Sequence, residues 1–322
     1  MDKNDEDDVY EVVVCGSIMI DLNAYCKRLP LPNETVKGHS FIQSFGGKGA
    51  NQAVQSSRLG IKCAMIGCVG DDTFGALYVD QLNKEGVKFR GKTCNGTSTG
   101  IAHITISDDG RNSITIIPGA NSELTEVDVN QAKDIISKSK VLLCQNEIPK
   151  NATIEALSIA HNHHILSLFN PAPAEPLADI VDILKLADII VPNEVELSTL
   201  TGLPTLTEAD VEIAARQLME VAQCKAIITT LGDKGCCLLY DELCVFINAD
   251  TVNAVDTVGA GDSFIGTLGA SLCRCKLTSS NLLESISKAL YCASQSVTRK
   301  GAQVSYVTKD ELLPEYLPPP PP

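Results

Sequence analysis

The chain has 322 residues, 44% of them hydrophobic, and a net charge of −14 from 40 acidic and 26 basic side chains. That length and apolar content suffice for one large core or two small ones, and the acidic surface argues against nucleic acid or an anionic membrane as a partner. No apolar run approaches the length that spans a bilayer, and the amino-terminal residues lack the basic-then-apolar order of a secretory leader. Thirteen cysteines fall at irregular spacings, and Cys236-Cys237 and Cys273-x-Cys275 are not the paired two-residue spacings of zinc or redox sites. Cys15, Cys63, Cys68 and Cys144 lie in apolar runs, where a thiol behaves as a small hydrophobe. A reducing compartment is expected: the cytoplasm, with the nucleus also open to the protein. Low complexity is confined to an acidic arm (residues 1–8) and a proline-rich tail (residues 313–322). Both are expected to be disordered, around a single domain over residues 9–312.

Residues 11–20 read Glu-Val-Val-Val-Cys-Gly-Ser-Ile-Met-Ile, a near-continuous apolar run of the kind that forms a buried strand in a parallel sheet. Asp21 is expected at its end, where ligand sites gather in open α/β sheets; a turn-capping role suits it equally well. Residues 22–45 are short segments broken by Pro30, Pro32 and Gly38. Residues 100–106 alternate strictly, turn at Asp108-Asp109-Gly110 and return over 112–117, which predicts a hairpin. Alternating strands are half exposed. These two stretches, about 22–45 and 98–118, are therefore expected to form a small antiparallel sheet outside the core.

Between them, Phe45-Gly46-Gly47-Lys48-Gly49-Ala50-Asn51-Gln52-Ala53 opens a helix that runs to Leu59 and stops at Gly60. Its glycines let the backbone approach a ligand, but Gly49 follows Lys48 where a Walker A loop needs Ser or Thr. A strand over 61–69 leads to Asp71-Asp72-Thr73-Phe74-Gly75 at the start of another helix, where paired acids suit the helix dipole. Strand and helix then alternate as a parallel sheet requires. Strands are expected over 141–144, 165–169, 187–191 and 226–230, and helices over 151–161 and 208–222. Glu147 stands just past the first of these strands, and Asn193-Glu194 opens a further helix. His161, His163 and His164 have no acidic or thiol companions at ligand spacing and read as a solvated helix end. Thr230-Leu231-Gly232-Asp233-Lys234-Gly235 makes a turn before a strand over 236–240; a plain hairpin turn and a nucleotide cradle both fit it.

An extended run over 249–255 precedes Asp256-Thr257-Val258-Gly259-Ala260-Gly261-Asp262-Ser263-Phe264, and residues 263–272 have the period of a buried helix. Gly259 and Gly261 thus mark a helix N-terminus, where unpaired N–H groups can hold an anion. Asp262 beside such a site is placed to take a proton from a hydroxyl attacking a phosphate. A strand-to-helix turn with Asp262 as a helix-start carboxylate satisfies the same spacing. A last helix is expected over 282–299. Gly16-Ser17-Ile18 after the first strand argues against a dinucleotide fingerprint there.

Three stretches in this order, Phe45 to Ala53, Pro192-Asn193-Glu194 with Thr230 to Gly235, and Asp256 to Asp262, resemble the ribokinase-like (PfkB-type) carbohydrate kinases. The likeness runs from about residue 9 to about residue 307. It implies a three-layer α/β/α fold with a mainly parallel central sheet, and a β lid that also pairs subunits into a homodimer. It implies ATP-dependent phosphorylation of ribose at O5, with magnesium and potassium as cations. Asp262 would then be the base and the Gly259, Ala260 and Gly261 N–H groups the anion hole. Sugar contacts would fall on Met19, Ile20, Asp21, Gly47, Lys48, Gly49, Ala50, Asn51 and Glu147, together with Asp262. Nucleotide contacts would fall on Asn193 (also near magnesium), Thr230, Leu231, Gly232, Asp233, Lys234, Gly235, Gly261 and Asp262. Potassium would lie among Asp256, Val258, Ser296, Arg299, Gly301 and Ser305, although Asp256 in an ion pair with Arg299 or Lys300 would need no metal. Leu290 departs from the Asn or His often found beside the adenine in these kinases, which weakens any polar contact to the base. Kinases for fructose, deoxyribose or nucleosides share the catalytic turn; the 46–51 stretch favours ribose.

Overall fold

The apolar run near the start of the chain divides between two sheets. In the computed structural model, which describes residues 9–316, β1 (Val12–Cys15) is a core strand and β2 (Met19–Cys26) belongs to a second sheet. The single strand expected over 11–20 is therefore two, and Asp21 lies within β2 instead of past the end of a core strand. At the break, the Ile18 N–H donates to Asn121 Oδ1 and the Asn121 amide donates back to the Ile18 carbonyl, both at 2.8 Å. A buried side-chain amide here replaces a strand neighbour, so the backbone can change sheets with its polar groups satisfied.

β3 (Gly38–Gly46), α1 (Lys48–Arg58), β4 (Cys63–Ile66), β5 (Cys68–Gly70), α2 (Thr73–Lys84), β6 (Val87–Phe89) and β7 (Lys92–Cys94) follow. The strand expected over 61–69 also splits, at Gly67: β4 stays in the main sheet and β5 pairs with β7. β8 (Gly100–Ser107) and β9 (Asn112–Ile117) form the expected hairpin. The lid order is β3-β2-β8-β9, with β2 and β8 parallel because both start at the core end, Met19 opposite Gly100. The lid is thus mixed, not wholly antiparallel.

The rest of the chain gives α3 (Glu126–Gln131), α4 (Lys133–Ser137), β10 (Val141–Gln145), α5 (Lys150–Asn162), β11 (Leu166–Asn170), α6 (Leu177–Leu184) and β12 (Ile189–Ile190). Then come α7 (Glu194–Thr201), α8 (Glu208–Ala222), β13 (Ala226–Thr230), β14 (Cys236–Tyr240), β15 (Leu243–Ile247), α9 (Ala260–Leu272) and α10 (Ser279–Ser296). Among the described residues the main sheet has nine strands in the order β15-β14-β13-β12-β11-β10-β1-β4-β6. From β13 to β6 they run parallel, and β14 and β15 close one edge antiparallel. The run over 249–255 forms no strand; the strand before the 256–262 turn is β15, and the last long helix ends at Ser296, short of 299.

Alternate residues of the central strands feed two apolar layers, which is why these strands read as continuous hydrophobic runs. Val12, Val14 and Leu143 pack with Ala53, Tyr78, Phe264 and Ile286 on one face, and Val13, Cys15 and Leu142 with Ala156, Ile180, Leu197 and Ala215 on the other. The fold is the expected three-layer α/β/α arrangement. No helix among the described residues is long and apolar enough to cross a membrane. The acidic arm and residues 317–322 of the tail lie outside the described residues; Pro314–Tyr316, at the start of that tail, form a 3-10 turn, and the Tyr316 ring rests 5.4 Å from that of Tyr291.

Candidate active site

The loops at the carboxyl ends of β1 and β10 meet the first turn of α1. Ser17 Oγ donates to Glu147 Oε2 at 2.5 Å, and the same oxygen accepts the Lys48 N–H at 3.0 Å. Gly47, the N-cap of α1, has φ 87°, and a Cβ there would come within 2.8 Å of Met19 N; only glycine takes this entry without strain. A Cβ on Gly46 would fall 2.3 Å from Asp21 Oδ2. The bare glycine is what leaves room for the Asp21 carboxyl.

Asp262 reaches the same place from α9. It is buried, at 7% exposure. Its Oδ2 accepts Asn51 Nδ2 at 2.9 Å and its Oδ1 accepts Gln52 Nε2 at 3.1 Å. The N-cap of α9 is Gly259, which has no side chain to cap with, and Asp262 is the acidic residue of the first turn. Its place suits a helix-start acid, while the hydrogen bonds on its carboxylate come from another helix, α1. Gly259 takes the left-handed conformation at the N-cap, φ 77°, with its carbonyl accepting the Tyr306 hydroxyl at 3.1 Å. The Ala260 N–H lies 3.3 Å from the Thr257 carbonyl, and nothing stands within 4 Å of where a Gly261 Cβ would project. A buried carboxylate therefore faces an open helix N-terminus.

This arrangement coincides with a family match. The pfkB family carbohydrate kinase pattern covers residues 10–309. The chain belongs to the pfkB family of carbohydrate kinases. It is 39% identical over 312 residues to a ribokinase of Mus musculus, across 95% of each chain. It is 36% identical over 310 residues to a deoxyribokinase of Salmonella typhi, across 95% of this chain and 98% of that one. Its fold superimposes with a TM-score of 0.88 on an Arabidopsis thaliana ribokinase solved with ribose and ATP, at 29% identity over 94% of this chain and 97% of that one.

In this pfkB-family chain the charges at the site are densely set. Burial, with Glu147 and Asp262 nearby, pushes the Asp21 carboxyl up to about 7. Burial also raises Glu147, against the pull of Lys48, and raises Glu196. Burial works against the Lys48 ammonium, but the Asp262, Glu147 and Glu196 carboxylates outweigh it and hold the charge above its ordinary range. Glu196 has no place in the sequence reading. It belongs to a capping box with Asn193, whose N–H it accepts at 2.8 Å and whose Oδ1 accepts the Glu196 N–H at 2.8 Å.

Asn193 also bridges to Thr230, so the 230–235 turn lies beside it, with Lys234 Nζ 3.4 Å from Glu194. Leu231 buries its side chain in the core, as do Ile20 and Ala50 in the sugar stretch; these three present only backbone to a ligand. Leu290 is likewise a core residue. Asp72 caps α2 through the Gly75 N–H at 2.8 Å, and His161, His163 and His164 are exposed at the end of α5, as the sequence suggests for both. Asp256 makes neither of the expected ion pairs. Its Oδ1 accepts the Val258 N–H at 3.1 Å and its Oδ2 the Gly301 N–H at 2.8 Å, while Arg299 pairs with Glu311. That carboxylate ties the 256–258 turn to Gly301; Ser296 and Ser305 are buried, with their hydroxyls donating to the Ala293 and Ala302 carbonyls.

A carboxyl whose folded pKa exceeds its unfolded one takes up a proton on folding, so stability falls as pH rises between the two values. For Asp21 that window runs from 3.8 to about 7. Asp21→Asn should therefore stabilise the ligand-free protein more at pH 8 than at pH 5, as read by urea unfolding at both. Glu147 and Glu196 act in the same direction, so the slope is reduced without vanishing. An unchanged slope in the variant would show that Asp21 is not the group responsible.

Proposed function

We propose that this chain transfers the γ-phosphoryl group of ATP to O5 of D-ribose, giving ribose 5-phosphate and ADP. The observation that carries this reading is the buried Asp262 carboxylate, set by two amide donors at the open first turn of α9. The likeness to a ribokinase at 39% identity supports the choice of sugar. A second reading, 2-deoxyribose as the acceptor, draws on the likeness to a deoxyribokinase at 36%.

In the proposed mechanism Asp262 accepts the proton of the attacking hydroxyl, and the Gly259, Ala260 and Gly261 N–H groups meet the charge on the transferred phosphoryl oxygens. Asp21, Lys48, Asn51 and Glu147 hold the sugar hydroxyls, with backbone groups of Met19, Ile20, Gly47, Gly49 and Ala50 around them. With its pKa at about 7, Asp21 can donate a hydrogen bond as well as accept one. Asn193 and Glu196, with the turn of Thr230, Leu231, Gly232, Asp233, Lys234 and Gly235, hold the nucleotide phosphates and their magnesium. Asp21, Glu147, Glu196 and Asp262 would repel a bare triphosphate. Magnesium, when bound, would supply neutralising charge at the phosphates.

For potassium, Asp256, Ser296 and Ser305 with the carbonyls of Val258, Arg299 and Gly301 form an oxygen-only donor set of the kind a hard cation takes. The lid exposes Ile42 on β3 and Ile114 and Ile116 on β9, which the strand pairing puts on one face; we assign this apolar face to a second copy of the chain in a homodimer. The thirteen cysteines are all free thiols, which fits a cytoplasmic enzyme.

Product identification by NMR tests the substrate. Ribose should give the 5-phosphate with a kcat/KM at least about tenfold above that of 2-deoxyribose, since a site built to bind a hydroxyl discriminates against its absence. A preference for deoxyribose selects the second reading, and phosphate on O1 sinks both. Asp262→Asn keeps the shape without the proton acceptor, so kcat should fall roughly 10²–10⁴-fold with ATP still bound; near-parental turnover would leave Asp262 a structural residue. At fixed ionic strength, replacing potassium with sodium or tetramethylammonium should lower kcat, and equal rates in the three salts would remove the monovalent site.

A further inference from the structure

Each oxygen of the Asp262 carboxylate is met by a side-chain amide, and each of those amides is met in turn by another. Asn51 Nδ2 donates to Oδ2, and Asn51 Oδ1 accepts Gln303 Nε2 at 2.9 Å. Gln52 Nε2 donates to Oδ1, and Gln52 Oε1 accepts Gln145 Nε2 at 2.7 Å. All four amides are buried, at 6% exposure or less. They come from three parts of the chain: α1, the last residue of β10, and the 3-10 turn Gln303–Ser305.

An Asn or Gln amide can sit either way round, and turning it exchanges donor for acceptor. With a donor fixed against its oxygen, each inner amide has only its NH2 group left for the carboxylate. Reversed, it would aim a carbonyl oxygen at an anion in a closed site, where two acceptors repel. Gln303 has its own direction fixed. Its nitrogen also donates to the Tyr78 hydroxyl at 3.0 Å, and that hydroxyl spends its hydrogen on the Gly46 carbonyl, so it can only accept.

The outer amides carry a cost that packing does not explain. Gln145 Oε1 and Gln303 Oε1 are both buried and find no hydrogen-bond partner within the protein. A buried unpaired acceptor is disfavoured and calls for a reason. Here the same reason serves both: each outer amide turns its NH2 inward and leaves its oxygen unpaired.

We infer that Gln303 and Gln145 are positioning residues for the base, fixing through Asn51 and Gln52 the direction of both hydrogen bonds on Asp262. This role rests on the kinase reading above. Neither residue touches the substrate; each acts by keeping the carboxylate supplied with donors and held in one rotamer.

The test is Gln303→Met and Gln145→Met, which keep the volume, remove the donor and also remove the unpaired oxygen, so that the acceptor orphaned on the inner amide is offset by the one taken away. Each should lower kcat by about 10- to 100-fold, the scale on which small misplacements of a catalytic group act. ADP affinity and the thermal midpoint should stay close to those of the parent. In an Asp262→Asn background each Met change should cost less than about twofold further, because residues acting as one unit are not additive. Should a Met variant lose its cooperative unfolding transition, Gln303→Leu and Gln145→Leu carry the same comparison. They also remove the donor and the unpaired oxygen, so they should lower kcat by a similar factor. Parental kcat in the Met variants, or the same loss with and without Asp262, overturns the positioning role and leaves the kinase standing. A parent that phosphorylates no sugar overturns the kinase reading and this role with it.

Discussion

The contact on which the rest of the site depends joins two helices far apart in the chain. Asn51 and Gln52 on α1 hold a carboxylate on α9 that lies 211 and 210 positions later. The two helices must come close for such short side chains to meet, and small residues permit it. A Cβ on Gly266 would fall 2.6 Å from the Gln52 carbonyl oxygen. Ser56 Oγ donates to the Gly266 carbonyl at 2.9 Å, and Ser263 Oγ donates to Gln55 Oε1 at 3.0 Å. The small-residue character of 263–270, which marks only a buried helix when read as sequence, is the means by which the Asp262 carboxylate is placed against α1.

Charge imposes the second constraint. Four carboxyl groups, Asp21, Glu147, Glu196 and Asp262, act on one another at the site, and burial has raised three of them, Asp21, Glu147 and Glu196. Lys48 offsets part of this. In the proposed reaction such a site would suit a neutral polyol and a phosphate chain that arrives with its counter-ions, and the first turn of α9 would contribute dipole without adding a further basic group.

Much of this was legible in the sequence, for identifiable reasons. Helix α8 and strands β13 and β14 have the expected bounds because Thr207 caps the helix and compact apolar runs with clear turn residues define the strands. The glycine stretches around Lys48 and Asp262 stood out because backbone geometry there demands glycine. The change of sheet at Gly16-Ser17-Ile18 did not stand out, since hydrophobic periodicity reports burial and not which sheet a strand joins. Gln303 was invisible too. It is a lone polar residue whose partner, Asn51, is 252 positions away, and only the folded chain brings them together. The alternative of an ion pair at Asp256 stayed open in the sequence, because its backbone partner at Gly301 depends on a loop closure that residue types do not encode.

The change of sheet after β1 separates two kinds of work. Asp21 rides on the lid sheet, whereas Asp262 and its amide supports belong to the core. In the proposed site, changes around Asp21 on β2 would alter one group of sugar contacts and leave Lys48 and Asn51 on α1 in place. The acceptor sugar could then change through the lid while Asp262 and its amides stay as they are. Relatives named for ribose and for deoxyribose at nearly equal distance from this chain, 39% and 36% identity, are the kind of divergence this modular wiring allows.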